Sequence, residues 1–490
     1  MFKKRVFAPG APAPAPPSRE PAVAPAPDVE RLPALSEGLL IAFAVAHLPL
    51  GLWMHAQSAI TFVHGAITFA AGMWWALSSN RLERVAWTGA YIVGAEVLWR
   101  MTTDALPWES GKAMIIVIFS VAILNTQGLK GLLMPGLFFA LLLPSAILTI
   151  KASEYAVWRG QLSFNLTGPL ALVLAARLFS HVYFTPAALM RLFMALIAPT
   201  LAIVAIVTMQ IVTAQNIEFT TESNFATSGG FGPNQVSLAL GLGALAALWL
   251  LLDEAARWPL RLLMFAAMAW LITQCALTFS RGGFIGATTS ALVAMLFLLG
   301  ERRVRKRISL VLFVTVPLGM FVVWPSLIAF TGGTIAARYE ETNLTSRDKY
   351  IYEDIEAWSR NPILGVGPGL SAAQHTRSAA THTELSRLLS EHGSFGALFV
   401  LSLGLSLLLN VYAAPTAKGK AFAASAMLWS LLYMTNAAMR TVAPALMFGL
   451  GFSHLGQPAG EPAGAADAAS GRPTRRRFGT LTTARPSTAR

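Results

Sequence analysis

Long apolar runs recur along almost the whole chain, and they constrain its fold more than any other feature. Only 12% of the 490 residues are charged, whereas about 25% are charged in soluble domains. Many runs reach the length that an α-helix needs to cross a bilayer. One large soluble core is the alternative, but the runs are too numerous and lack a polar face. The sequence therefore predicts an all-α polytopic integral membrane protein with about 12–14 transmembrane helices.

The predicted spans follow the limits of the apolar runs. They cover residues 37–54, 57–77, 85–102, 113–129, 131–150, 164–183, 190–211, 235–252, 259–279, 283–300, 308–330, 394–412, 420–436 and 441–455. An even number of spans would leave both ends of the chain on one side of the membrane. We expect that side to be the cytoplasm, because the loops that would lie there are rich in Lys and Arg.

The net charge of +13 is explained by this topology. Its densest clusters are the basic loop at 302–307 and the tail at 475–477. Basic segments of this kind fix the orientation of a membrane protein and attract anionic lipid headgroups. Membrane lipids are therefore expected partners, and nucleic acid is not.

Composition divides the chain into three regions. Residues 1–35 and 456–490 are rich in Pro, Ala and basic residues and are expected to be disordered cytoplasmic tails. Residues 36–455 form the membrane domain. Within it, the long loop at 331–393 lies on the outer side by the predicted topology, and loops of this length are usually functional.

The sequence of this loop predicts two short amphipathic helices joined by a tight turn. DKYIYEDIEAWSRNP has apolar residues at helical spacing, including Ile355. The proline at the end of this segment, which follows Asn361, and the glycines Gly365, Gly367 and Gly369 predict the turn. The loop is either a functional element or only a cover over the outer mouth of the helix bundle.

A histidine lies at the start of the second loop helix. Thr381 and Glu384 have the spacing of a capping box, which makes Thr381 the N-cap and His382 the first helical residue. The positive end of the helix dipole disfavours the imidazolium, and a neutral imidazole can accept a proton as a general base. The simpler interpretations are capping for Glu384 and plain solvent exposure for His382.

Polar residues at the outer ends of spans are further candidates for substrate binding. Arg281 lies in SRGG between two spans, where its planar guanidinium suits a phosphate or extends into the headgroups. Asn234 follows Pro233 at the outer start of a span and can cap that helix. The other outer-facing arginines are Arg100, Arg338, Arg347 and Arg440.

No metal site or cofactor is expected. The loop histidines His375, His382 and His392 do not have the spacing of a compact zinc motif. The one cysteine, Cys275, lies in an apolar run and is expected to be a small buried side chain.

Three elements occur in the order that is typical of one family. SRGG at 280–283, SRDKYIYEDIEAWSRNPILGVGPG at 346–369 and HTELSRLLSEHGSFG at 382–396 resemble the O-antigen ligase and O-antigen polymerase superfamily, over about residues 225–410. The resemblance implies that His382 is the base and that Arg281 holds a pyrophosphate. The spacing from His382 to Glu391, Gly393 and Gly396 is kept.

The chain departs from the family pattern at two places. Thr383 stands where Asn is common, and residues 216–232 lack an arginine that many relatives carry. A second phosphate-binding charge would then come from Arg338, Arg347 or Arg440.

The resemblance implies a glycosyltransferase of the bacterial inner membrane with a periplasmic active site. Such enzymes move a glycan from undecaprenyl pyrophosphate to an acceptor hydroxyl in a metal-independent, inverting reaction. The acceptor is a second lipid-linked glycan in a polymerase, which we favour slightly, and lipid A core or a protein in a ligase. A transporter or flippase is the alternative from another class, but the sequence shows no clear inverted repeat.

Overall fold

The chain folds into helices that follow the apolar runs. The computed structural model describes residues 34–78, 82–103, 105–341, 347–376 and 382–456, so most of both predicted tails lies outside it. The helices are α1 Ala34–Ala56, α2 Ser58–Ser78, α3 Leu82–Thr102, α4 Ser110–Gln127, α5 Leu129–Ala140, α6 Ala146–Ala152, α7 Tyr155–Phe179, α8 Pro186–Thr213, α9 Pro233–Leu252, α10 Trp258–Leu277, α11 Arg281–Leu298, α12 Arg302–Leu318, α13 Trp324–Phe330, α14 Thr334–Glu340, α15 Arg347–Arg360, α16 Glu384–Ala413, α17 Ala417–Ala437 and α18 Ala443–Leu450. Strands β1 (Tyr183–Phe184) and β2 (His454–Leu455) form one short parallel pair.

Within the described residues, ten helical segments are long and apolar enough to cross a membrane, which confirms the all-α polytopic fold. They include α12, a π-helical turn and α13 as one continuous segment. Four predicted spans have a different form. Helix α3 has the length of a span but contains Glu83, Arg84, Glu96 and Arg100, and α17 begins with lysines at 418 and 420. Residues 131–150 are divided between α5 and α6, and 441–455 contain only the eight-residue α18.

Charged and polar contacts occupy opposite ends of the bundle. Helix α9 links both ends, since Gln235 in its first turn accepts a bond from Arg100 (2.8 Å) and Leu252 at its end accepts one from Arg307 (3.1 Å). The Arg307 end also holds Lys418, paired with Asp253 at 3.1 Å. We call this end the basic face and the Arg100 end the site face.

The first and last described segments meet the basic face. The backbone N–H of Arg257 donates to the carboxylate of Glu37 near the start of α1 (2.7 Å). The β1–β2 pair, which includes His454, lies between α7 and α8 at the end of α8 remote from Gly229. The described path, from α1 to β2, therefore begins and ends at one face.

The predicted glycine turn is present and packs against a break in α16. Gly365, Gly367 and Gly369 have φ values of 68°, 105° and 82°, a region that side chains rarely adopt. The break is at Gly393 (φ 59°), where α16 loses helical geometry. The carbonyls of residues 390 and 391 accept bonds from the N–H groups of residues 366 (2.8 Å) and 367 (3.0 Å). The break separates the loop part of α16 from the apolar part predicted as a span.

Helix α15 attaches to α16 through polar side chains, and Ile355 of the predicted apolar stripe lies exposed. Ile355 is 45% exposed, whereas Asp354 is fully buried. The Asp354 carboxylate accepts bonds from Ser386 (2.7 Å) and Ser390 (3.0 Å), and it pairs with His375 at 2.9 Å. Residues 347–376 of the loop are therefore tied to the first turns of α16 by hydrogen bonds.

Candidate functional site

His382 lies just before α16 at the site face. The helix begins at Glu384 with Thr383 as its N-cap residue, so the predicted start at His382 is two residues too early. Thr381, the predicted N-cap, lies outside the described residues. His382 is half-buried, and its carbonyl accepts a bond from the N–H of Ala438 (2.8 Å). The imidazole therefore belongs to a packed junction between α16 and the end of α17.

Glu384 is a packing residue of this junction and does not have the capping-box position that the sequence suggests. It is fully buried, and its Oε2 accepts the backbone N–H of Met439 (3.0 Å). Its Oε1 accepts a bond from Arg387, which also binds Glu391 Oε2 (2.6 Å). Glu391 receives a further bond from Ser371 (2.8 Å). The polar face of the first turns of α16 is thus buried, with one guanidinium between two carboxylates.

Replacing Arg387 with Leu is expected to destabilise the protein by about 3–5 kcal/mol, because two buried carboxylates lose their shared cation. Arg360→Leu is the matched control, since its ion pair with Glu356 is exposed and should contribute less than about 1 kcal/mol. Thermal unfolding of the detergent-solubilised full chain, followed by size-exclusion chromatography, measures both. Equal melting of the two variants would contradict the structural role of Arg387.

Residues 438–442 form a tight connector between α17 and α18. Besides the bonds to His382 and Glu384, the carbonyl of Arg440 accepts a bond from Arg100 (3.0 Å). The N–H of Val442 donates to Glu96 Oε2 (2.7 Å). The connector is therefore held by α3 on one side and by the start of α16 on the other. Arg440 is half-buried on it, and burial lowers the pKa of its guanidinium.

Sequence analysis did not single out Arg100 among the outer-facing arginines or relate it to the site. Its guanidinium binds Glu96 (2.6 Å) and Gln235, and it lies over the ring of Trp108 at 4.3 Å. The sequence feature that could have indicated its role is the pair Glu96 and Arg100, two opposite charges four residues apart inside an apolar run.

Arg281 and Arg338 form an arginine pair at the start of α11. Arg281 Nη1 donates to the carbonyl of Glu341, and Arg338 Nη1 donates to the carboxylate of the same residue (3.0 Å). Arg338 Nε also donates to the carbonyl of Phe279 (3.0 Å), and Arg338 is only 7% exposed. The structure therefore gives Arg281 a second guanidinium as a neighbour. Arg347 begins α15, and its side chain lies outside what the structure describes.

Asn234 supports the SRGG element and does not cap α9. Gly232 is the N-cap residue, and Asn234 is the second residue of the helix. Its Oδ1 accepts a bond from Ser280 Oγ (2.7 Å), next to Arg281. The predicted capping role is wrong, and the residue instead fixes the backbone that presents Arg281.

Backbone strain marks both parts of the site. In the described ranges, Phe279 (φ 59°) and Ala438 (φ 50°) are the two non-glycine residues with positive φ. Phe279 comes two residues before Arg281, and Ala438 bonds to His382. Strained non-glycine residues persist where the surrounding contacts hold them, and they cluster at functional sites.

The two parts of the site meet through α11 and α17. A Cβ on Gly282 would lie 2.9 Å from Oδ1 of Asn436, so the first turn of α11 packs closely on the end of α17. Ala438 follows two residues later and bonds to His382. The arginine pair, His382 and Arg440 therefore lie at one end of the bundle, the site face.

Two cavities open beside this group. An apolar groove of about 700 Å³ lies between α9, α10, α11 and the α12–α13 segment, and Phe284 and Tyr339 line it next to the arginine pair. A polar cavity of about 320 Å³ lies between α7, the glycine turn, the start of α16 and the connector. Among the described residues, no group of three or more His, Cys, Asp or Glu side chains could hold a metal ion.

Comparison with known proteins finds one region of similarity. Residues 266–401 match the family model described as O-antigen ligase, and this region includes Arg281, Arg338, His382 and Glu391. The chain matches no curated protein sequence. The same region supplies the arginine pair, the glycine turn and the histidine of the site face. Residues 266–401 are thus similar to O-antigen ligases, a likeness that supports membrane glycosyltransferase activity of the O-antigen ligase and polymerase type.

Proposed function

We propose that the protein transfers a glycan from undecaprenyl pyrophosphate to an acceptor hydroxyl at the periplasmic face of the bacterial inner membrane. The observation that carries this proposal is the apolar groove lined at one end by Tyr339, which lies beside the guanidiniums of Arg281 and Arg338. A lipid-linked pyrophosphate needs both features in one place, because its chain is apolar and its headgroup is strongly anionic.

The groove suits a polyprenyl chain. Its lining is almost wholly apolar, from Leu245 and Leu248 on α9 to Val323 and Leu327 near α13. Only 6% of the residues in the most apolar stretch of the α12–α13 segment, on the outer side of the groove, are buried by protein, so the groove lies at the lipid-facing side of the bundle. A lipid chain can therefore enter it directly from the bilayer.

Arg281, Arg338 and Tyr339 suit the pyrophosphate. Arg338 supplies the second cation that residues 216–232 lack, in preference to Arg347 or Arg440. Guanidinium groups bind phosphate through two parallel bonds. The hydroxyl of Tyr339 is buried and has no hydrogen-bond partner among the described residues, and burial raises the pKa of this phenol, which keeps it a donor. Three donors near the end of the groove would neutralise the leaving pyrophosphate.

His382 then acts as the general base. The oxygen of the acceptor hydroxyl attacks the anomeric carbon, the bond from that carbon to the phosphate oxygen breaks, and the pyrophosphate leaves with the electron pair. The hydroxyl proton passes to the imidazole. Attack from the side opposite the leaving group inverts the anomeric configuration, and these steps require no metal ion or covalent intermediate.

The basic face indicates how the protein is oriented in the membrane. The basic face, with Arg257, Arg307 and Lys418, belongs in the cytoplasm under the positive-inside rule. Both ends of the chain then lie in the cytoplasm, and the site face is periplasmic.

The acceptor we favour is a second lipid-linked glycan, which makes the protein a polymerase of surface polysaccharide or exopolysaccharide. A ligase that transfers the glycan to lipid A core is the second candidate, because the matched family model is described as O-antigen ligase.

Analysis of surface polysaccharide in a deletion strain tests the proposal. A polymerase predicts single repeat units where the wild type makes long chains, and a ligase predicts full chains left on the lipid carrier. Reintroducing the wild-type chain should restore the polysaccharide. Normal polysaccharide in the deletion strain, or unjoined units held on the inner leaflet as in a flippase defect, would overturn the assignment.

A further inference from the structure

The polar cavity beside the connector has the composition of a sugar site. It is lined by Gly160, Gln161, Phe164, Asn165, Gly369, Ser371, Ala372, Glu384, Arg387, Glu391 and residues 438–440. We propose that this cavity binds the terminal sugar of the acceptor glycan and presents its hydroxyl to His382. This assignment rests on the proposed function and adds the location of the second substrate.

Most of the charged side chains that line the cavity already bind other protein groups. Arg387 is held between Glu384 and Glu391, and Asn165 binds both Arg387 and the carbonyl of Gln161 (2.7 Å). These groups keep the shape of the cavity but have few hydrogen bonds left to offer.

Two groups in the cavity remain for a ligand. Gln161 Oε1 is buried and has no hydrogen-bond partner among the described residues. Arg440 also lines the cavity, and its guanidinium forms no ion pair within the described ranges. Partial burial lowers the pKa of this guanidinium. A buried acceptor without a partner is costly unless a ligand completes it, and the half-buried guanidinium of Arg440 can donate to the same ligand. Sugar hydroxyls both donate and accept, so one ring can satisfy both, with Phe164 as an apolar wall.

The position of the cavity favours the acceptor over the donor. The end of α17 contacts α11 and its arginine pair through Asn436, and the connector that follows lines the cavity through Ala438, Met439 and Arg440. His382 bonds to the connector between these two sides. A donor at the arginine pair and an acceptor in the cavity would therefore approach the histidine from opposite sides.

Cysteine protection on the full-length chain in lipid nanodiscs tests the site. Cys275 is the only cysteine and is buried, so Cys275→Ser gives a background for Ala372→Cys, which places a thiol in the cavity lining without removing Gln161. The rate of modification by a polar maleimide is measured with and without methyl glycosides of glucose, galactose, N-acetylglucosamine and galacturonic acid. Ser359→Cys, exposed on α15, is the matched control. Thermal melting verifies that each variant folds.

We expect at least one glycoside to slow modification at position 372 several-fold, to leave position 359 unchanged, and to lose its effect when Arg440→Gln is added. Equal rates with every glycoside would overturn the sugar site. If the modification rates are equal but His382→Ala loses glycan transfer, the proposed function stands and only the sugar site is overturned. Protection at position 372 together with full transfer by His382→Ala would support the sugar site and overturn the proposed base.

Discussion

Replacing His382 with Ala is expected to lower glycan transfer by about 10²–10⁴-fold, because the acceptor hydroxyl loses the base that takes its proton. The hydrogen bond between His382 and Ala438 uses the backbone carbonyl of His382 and not its imidazole. Removing the imidazole should therefore leave the junction of α16 and α17 in place. The measurement is the initial rate of transfer in proteoliposomes supplied with lipid-linked glycan extracted from the deletion strain.

The matched control is His55→Ala, an exposed histidine on the same face, which should retain the wild-type rate. Expression and thermal melting of both variants must equal those of the wild type. A His382→Ala variant that folds normally and transfers at the full rate would remove the histidine from the mechanism.

Replacing either arginine of the pair with Gln is expected to lower transfer by about 10²–10³-fold, the usual cost of one donor to a developing negative charge. Arg281→Lys should recover only part of the rate, because an ammonium keeps the charge but lacks the planar fork. The fold-loss of transfer rate in the double variant should be smaller than the product of the two single fold-losses, since both guanidiniums are expected to bind one pyrophosphate.

Two controls separate binding from folding in this series. Arg360→Gln removes an exposed arginine from the same loop and should leave the rate unchanged. Arg338→Gln also removes the bond to the carbonyl of Phe279, so its melting temperature must be compared with that of Arg281→Gln. Normal transfer by a folded Arg281→Gln, Arg338→Gln double variant would exclude the pair as the phosphate site.

The local parts of the fold and the site were predictable from the sequence. Apolar runs give helices because every backbone polar group must be satisfied inside a membrane. The turn with Gly365, Gly367 and Gly369 was predictable because only glycine readily adopts positive φ. The order of SRGG, the glycine turn and His382 along the chain was enough to indicate the family.

Predictions that depended on helix ends and helix faces were less successful. A capping box is a local pattern, but the start of α16 was decided by the burial of Glu384 against Met439, which comes 55 residues later. The buried face of α15 centres on Asp354 because partners from α16 and the loop surround it. Neither set of partners can be recognised from the spacing of apolar residues.

By itself, the sequence predicted a bundle of membrane helices with basic loops on one side, a tight glycine turn, and one histidine and one arginine as the leading candidates for the site. Only the tertiary structure decided that Arg338 is the neighbour of Arg281, that Arg100 and Glu96 hold the connector, and that a groove and a cavity lie on two sides of the site. The physical reason is that hydrophobicity and backbone conformation act over a few residues. Ion pairs and cavities instead arise between helices that are far apart in the chain, so they exist only once those helices pack.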